Sequence, residues 1–260
     1  MFLVDTIKSL KPNIVVVLNI IKLNATDSTN TYLKLLVNKT NVVDQTVVLA
    51  EDQQRGRGQM GNGWLSRKGQ SLTFSVFKSF KGVMAEDQFM ISMAVSLAII
   101  NAFKTFGLPK VSIKWPNDIL SGNKKVAGIL IENVLEGATV KYSVIGIGIN
   151  VNEMEFPSLP QASSLKLEIG KSLELEEVLH AVLKNMFDKF ELMTTQNFSD
   201  LRNVYEQNLF RKDIVSVFEN KEGQHFNAII KGISGIGELL IETENKAIEP
   251  FQIKELKLIY

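Results

Sequence analysis

The run Gln53-Gln54-Arg55-Gly56-Arg57-Gly58-Gln59-Met60-Gly61-Asn62-Gly63-Trp64 constrains the fold more than any other segment of the chain. Gly56 to Gly61 fits G-x-G-x-x-G, the dinucleotide fingerprint, but that motif works only where it opens a helix whose N-terminus meets a pyrophosphate. Here the run lies between TVVLAE (46–51), which reads as a buried strand, and SLTFSVFK (71–78), whose alternation reads as another. Strands on both sides remove the dinucleotide fold, and the absence of G-K-[ST] from this run removes the P-loop. What remains is local physics: glycines let backbone N–H groups turn toward an anion, and a guanidinium offers a planar fork of donors. The loop reads as an anion clamp or, alternatively, as a flexible surface hairpin with incidental arginines.

Around the loop, strands and helices mix without a repeating βα pattern. Residues 14–23 read as a strand, and Asp27-Ser28-Thr29-Asn30 then offers N-cap side chains ahead of an apolar helical stretch. A helix over 86–106, apolar nearly all round, stops at Gly107 with Pro109 beyond. Short strands follow as a meander: VSIKW, DILSGNKKVAGILIENV with its bend at Ser-Gly-Asn, and TVKYSVIGIGINVN. Apolar residues from Leu175 to Phe190 recur at helical spacing. From about Leu209 the texture changes to short strands alone, predicting a small β-barrel or sandwich. The fold class is therefore α+β, a mixed, mostly antiparallel sheet with packed helices, divided into residues 1–207 and 208–260.

Composition narrows the chemistry. Lys+Arg 29 against Asp+Glu 28 gives a net charge of +1, which argues against a protein whose main partner is nucleic acid. Without cysteine there is no disulfide, thiolate nucleophile or thiolate metal site, as suits a reducing cytoplasm. The only histidines are His180, expected on a solvated helix face, and His225, expected to be structural, so no metal site is expected. Neither a signal peptide nor an apolar run of membrane-spanning length is present, which predicts a soluble protein with no membrane partner.

Three further segments carry candidate chemistry. In Lys114-Trp115-Pro116-Asn117-Asp118 a strand ends on a lysine and an aromatic residue, although Asn and Asp also close turns by bonding their own backbone. In Lys124-Lys125-Val126-Ala127-Gly128-Ile129-Leu130-Ile131-Glu132 small residues follow a lysine, fitting either close approach of a ligand or a solvated hairpin shoulder; adjacent lysines face opposite ways, so one alone can enter a site. Gly146-Ile147-Gly148-Ile149-Asn150 is a strand thinned by glycines, which close strand packing explains almost as well as a ligand does.

Taken in order, Asp27 to Asn30, Gln53 to Trp64, Lys114 to Asp118, Lys125 to Glu132 and Gly146 to Asn150 resemble the catalytic domain of the biotin–protein ligases. That family's pattern is D-S-T-N, Q-x-x-G-R-G-x-x-G-x-x-W, K-W-P-N-D, K-x-A-G-I-L-x-E and G-x-G-[IL]-N, and its small SH3-like C-terminal domain is similar to the tail from about Leu209. The resemblance implies an ATP-dependent ligase that makes biotinyl-5′-adenylate and passes the biotinyl group to a lysine of a biotin carboxyl carrier protein or domain. Ser28, Thr29 and Asn30 would contact biotin, and Gln53 would bond its ureido end. Gly56, Arg57, Gly58, Gln59 and Gly128 would complete that pocket, with Arg57 bridging the biotin carboxylate and the phosphate. Lys125 would neutralise charge as the carboxylate attacks the α-phosphorus, while Trp64, Asn117 and Asn150 would line the adenosine site. ATP would bring Mg²⁺ on its phosphates. A homodimer is compatible with the resemblance.

Two departures stand out. Gln59 occupies a position where several relatives have an arginine that helps hold the adenylate, so Arg55 or Arg67 is the candidate substitute and leakage of the intermediate is expected. Only 26 residues precede Asp27, too few for the winged-helix domain of the repressor-type members, so no DNA binding is expected. The competing readings are a lipoate or octanoate ligase of the same fold, which would lack this loop and K-W-P-N-D together, and a non-enzymatic biotin- or nucleotide-binding regulator.

Overall fold

A computed structural model of the chain describes residues 4–8, 17–157, 159–193 and 198–260. Strands β1 (Val4–Lys8) and β2 (Val17–Leu23) lead to helix α1 (Thr29–Lys39) and strand β3 (Val47–Ala50); the expected strand at 14–23 is seen from Val17, and residues 14–16 lie outside the described part. The glycine run forms a minimal hairpin of β4 (Gly56–Arg57) and β5 (Gly63–Trp64) around a short 3₁₀ turn. Then come β6 (Ser71–Ser79), α2 (Phe89–Thr105), β7 (Val111–Lys114), β8 (Asp118–Ser121), β9 (Lys124–Glu136) and β10 (Thr139–Asn150). Three helices follow: α3 (Leu165–Ile169), α4 (Leu175–Leu192) and α5 (Phe198–Gln207).

Eight strands form one sheet in the order β1-β2-β3-β6-β10-β9-β8-β7, in which only the β2–β3 pair is parallel. Helix α1 is the crossover joining that pair, as a parallel connection requires. The sheet's two faces have different jobs. On one, Leu72, Phe74 and Val76 of β6, Ile129 of β9 and Ile145, Ile147 and Ile149 of β10 pack into the main core with α2 and α4. Helix α2 is apolar on nearly every side because it is enclosed by the sheet, α4 and α5. On the other face α1 covers a smaller cluster of Leu33, Val48, Phe77 and Val144.

The alternation that marked 71–78 as a strand holds in β6, and its polar positions Ser71, Thr73 and Ser75 are buried. The polar alternate positions face α1 and the glycine hairpin, so both faces are covered. Alternation separates a core face from a second face without saying whether the second is wet.

The C-terminal strands β11 (Val215–Asn220), β12 (His225–Ile233), β13 (Leu239–Glu242), β14 (Ile248–Phe251) and β15 (Leu256–Ile259) form a second, wholly antiparallel sheet in the order β14-β13-β12-β11-β15. Its Phe218, Ile230, Ile233 and Ile241 belong to the same apolar cluster as the main core. Hydrogen bonds tie the small sheet to the rest of the chain, among them Trp115 Nε1, just beyond β7, donating to Gly237 O at 2.9 Å, and Ile233 N–H donating to Glu206 Oε1 of α5 at 3.0 Å. Among the described residues no helix is long and apolar enough to cross a membrane.

Candidate functional site

The face opposite α2 carries a cavity of about 170 Å³, floored by β9 and β10 and roofed by the glycine hairpin. Even-numbered residues of β10, odd-numbered residues of β6 and, beyond the irregularity at Val126, even-numbered residues of β9 point there, so Gly128, Leu130, Gly146, Gly148 and Thr73 line it together, while before that irregularity it is Lys125 that does. Of the residues singled out from the sequence, Ser28, Thr29, Asn30, Gln53, Arg57, Gly58, Gln59, Trp64, Asn117, Lys125 and Gly128 all reach its wall. Gly56 and Asn150 do not.

At one end the wall is neutral and rich in hydrogen-bonding groups. Ser28 is the N-cap residue of α1, but its hydroxyl makes no capping bond and faces the cavity. Thr29 N–H donates to Gln53 Oε1 at 2.9 Å, fixing which end of that amide is accepting. Ser75 Oγ lies 2.7 Å from Thr29 Oγ1 and 2.6 Å from Asn30 Oδ1. A hydroxyl has one proton and Asn30 Oδ1 only accepts, so Ser75 donates to Asn30 and accepts from Thr29.

Toward the other end the wall is cationic. Lys125 Nζ lies 2.6 Å from Asp118 Oδ1 and 5.5 Å from the centre of the Trp64 ring. Its neighbour Lys124 points away and donates to Pro160 O, as strand alternation requires. Arg57, on β4, donates through Nη2 to Glu132 Oε2 at 3.0 Å. Burial pushes the Glu132 carboxyl up, but hydrogen bonds from Lys34 and Asn30 and the Arg57 charge outweigh it, holding the group below its usual range. Burial also lowers Lys114, with Asp118 opposing that shift and Lys125 adding to it. Its ammonium stands over the Tyr260 ring, 5.0 Å from the centre.

The glycines of β9 and β10 make room for the chain's own side chains. A Cβ on Gly148 would lie 2.2 Å from the Trp64 ring, and one on Gly146 would lie 2.4 Å from Asn30 Oδ1. Trp64 therefore rests on the floor of the site with Nε1 buried and unpartnered. This packing keeps the cavity below the 300–1,000 Å³ or so usual for ligand pockets. Gly56 stands just behind the wall, where a Cβ would come 2.3 Å from Trp64 O. Asn150, expected at the adenosine site, is buried and donates through Nδ2 to Ser163 O at 2.9 Å. Ser163 N–H in turn donates to Lys125 O, so Asn150 braces the loop behind that lysine. Asn117 lines the cavity while its Nδ2 donates to Ile129 O at 2.8 Å.

Neither candidate for the missing loop charge reaches the site. Arg55 is exposed with Asp27 beside it at 3.9 Å, and Arg67 pairs with Glu153 and Glu155. The cation at the rim is Lys254, from the small sheet, which donates to Met60 O at 3.1 Å. No local pattern in the sequence marks Lys254. Ser75 was likewise missed, its one signal being the polar alternation of β6, while Glu132 and Asp118 stood within motifs without a role. His180 is half-buried with Nε2 enclosed and unpartnered, contrary to the solvated position expected. His225 is exposed and sits 3.2 Å from Glu219 Oε2. Among the described residues no group of three acidic or histidine side chains could hold a metal ion.

The family model described as the biotin/lipoate A/B protein ligase family matches residues 23–150. The biotin–[acetyl-CoA-carboxylase] ligase of Paracoccus denitrificans is 30% identical over 83% of this chain and 91% of its own length. The bifunctional ligase/repressor BirA of Bacillus subtilis is 27% identical over 84% of this chain and 67% of its own length. Among solved structures, the biotin protein ligase from Aquifex aeolicus in complex with biotin and ATP superposes with a TM-score of 0.76 at 29% identity, covering 93% of this chain and 98% of that one. The five segments that converge on the cavity all lie within the matched region, and the chain belongs to the biotin–protein ligases of the biotin/lipoate A/B protein ligase family.

Proposed function

We propose that the chain is an ATP-dependent biotin–protein ligase, joining biotin to AMP and then transferring the biotinyl group to a lysine on the carrier domain of a biotin-dependent carboxylase. The observation that carries this reading is the polarity of the cavity. Thr29 and Gln53 form a neutral hydrogen-bonding end, and Arg57 and Lys125 form a cationic end on the same wall. Such a site suits a ligand with an uncharged amide-like head and a carboxylate tail. The relatives named for biotin ligation fill in its identity.

In this reading Gln53, its Oε1 engaged by Thr29, offers its Nε2 to the ureido oxygen. Arg57 and Lys125 draw the carboxylate and the α-phosphate together. A carboxylate oxygen forms the bond to phosphorus, the Pα–O bond to the β-phosphate breaks, and pyrophosphate leaves. Lys125, oriented by Asp118, offsets the negative charge that gathers in this step, and one such donor contributes about 3–4 kcal/mol. The carrier amine then attacks the acyl carbon and AMP departs. Asp118 is the one carboxylate on the described cavity wall, so Mg²⁺ would arrive on the ATP phosphates and neutralise the leaving pyrophosphate.

We further assign residues 208–260 to an SH3-like domain whose Lys254 closes the rim, and place the protein in the cytoplasm, as a chain without cysteine suits. The reading is tested by incubating the protein with ATP, Mg²⁺, biotin and a carrier domain and weighing the carrier. A gain of one biotinyl group, dependent on ATP and the carrier lysine, is expected. An unchanged carrier mass, or modification by lipoate instead, contradicts it.

A further inference from the structure

Glu132 is the junction of the site's two ends. Its Oε2 accepts from Arg57 Nη2 at 3.0 Å and from Asn30 Nδ2 at 2.9 Å, and its Oε1 accepts from Lys34 at 2.9 Å. The Asn30 amide is therefore held with its oxygen toward Ser75, and the chain runs on through Ser75 to the Thr29 hydroxyl; the same residue holds Gln53 Oε1 through its backbone N–H at 2.9 Å, with the hydroxyl oxygen 3.2 Å away. Ser75 is fully buried, Asn30 and Thr29 nearly so, and Gly146 supplies the space Asn30 needs. From Glu132 to Ser75 the donors and acceptors match in one sense only, and the single Thr29 hydroxyl proton, with Gln53 Oε1 also 3.2 Å away, completes the chain on the shorter 2.7 Å contact to Ser75. A polar network satisfied throughout holds its members in a single arrangement.

On the strength of the ligase reading, we infer that Glu132 is a positioning residue for adenylation. It fixes the Arg57 fork at the cationic end and, through Asn30, Ser75 and Thr29, fixes the orientation of Gln53 at the neutral end. Glu132 touches neither substrate. Its effect is geometric, and reacting groups displaced by about 1 Å cost up to roughly a hundredfold in rate. A glutamine at 132 has the same shape but turns an NH₂ toward donors that need an acceptor. The network cannot keep all its bonds.

The test measures biotin-dependent exchange of pyrophosphate into ATP, together with biotin affinity by calorimetry, for the wild type, Glu132→Gln, Arg57→Lys, the double variant and Ser75→Ala. Glu132→Gln is expected to lower kcat about ten- to hundredfold and to weaken biotin several-fold. Once Arg57→Lys has removed the fork, adding Glu132→Gln should cost less than about threefold more in kcat, because residues acting through one another are not additive. Ser75→Ala, which cuts only the inner arm, should weaken biotin with kcat nearly intact, and it reads that arm even if Glu132→Gln fails to fold. Wild-type kinetics in Glu132→Gln, effects that multiply in the double variant, or unchanged biotin affinity in Ser75→Ala would each overturn the inference while leaving the ligase reading standing. Absence of biotin-dependent exchange in the wild type would remove both.

Discussion

The Lys125 ammonium stands 2.6 Å from the Asp118 carboxylate and beneath the Trp64 ring, so a single side chain joins the K-W-P-N-D turn, the β9 strand and the glycine hairpin. The pair is part-exposed, with 33% and 19% of the two side chains accessible, and its attraction is accordingly moderated by water. Its value lies in aim. Lys125→Ala should lower pyrophosphate exchange by about a hundred- to a thousandfold, as loss of one charge-stabilising donor does, while far-ultraviolet circular dichroism stays that of the wild type. Exchange within a few-fold of wild type would remove Lys125 from the chemistry.

Trp64 covers the Gly128–Gly148 floor, so a nucleotide bound at that floor lies against its ring. Trp115, the other tryptophan, is tied through Nε1 to Gly237 O. ATP and biotin together should therefore change the tryptophan fluorescence, and Trp64→Phe should lose most of that change. A full response in Trp64→Phe would place the responding ring elsewhere.

Gly148→Ala should be far more damaging than its size suggests, because the new methyl would lie 2.2 Å from the Trp64 ring. Steady-state kinetics should show the KM for ATP raised at least several-fold. Trp64→Ala added to it should relieve the steric part of the loss, and a double variant no better than the product of the singles would contradict this packing argument.

The acid limb of stability should carry a signature of Glu132. Its folded pKa lies below the ordinary 4.5, so its contribution is complete above that value and is lost as pH falls through the lowered folded value. Between neutral pH and about pH 5, the stability gap between wild type and Glu132→Gln should stay constant. In denaturant titrations at successively lower pH it should then shrink. A gap that widened with acid would reverse the sign of the assigned shift.

Gln59 lines the cavity without charge, and the rim cation comes from Lys254 through the Met60 carbonyl. Gln59→Arg should slow release of the adenylate in a chase experiment, while Lys254→Met should speed it. Equal release from all three proteins would deprive both positions of a part in retention.

Much of this site was legible because it is written locally. The glycine run, the lysine of β9 and the D-S-T-N cap each announce themselves by residue type and spacing, and the flanking strand patterns by themselves exclude a dinucleotide fold. What escaped depends on distant contact. Lys254 meets Met60 across 194 positions, and Asn30 meets Glu132 across 102, so neither pairing leaves a local pattern. Helix α5, a short polar-rich segment, lacks the apolar run that revealed α2 and was not anticipated. Asn150, which the resemblance assigned to the adenosine site, stands off the cavity wall with its amide bonded to Ser163, a contact its place at the end of a glycine-thinned strand does not announce.

The central claim is that the neutral and cationic ends of one cavity activate biotin. The most direct measurement is exchange of labelled pyrophosphate into ATP by the wild-type protein with biotin, lipoate or octanoate as the only acid present. Exchange that requires biotin and is absent with the other two acids is predicted. Exchange supported by lipoate or octanoate, or none with any of the three, would contradict it.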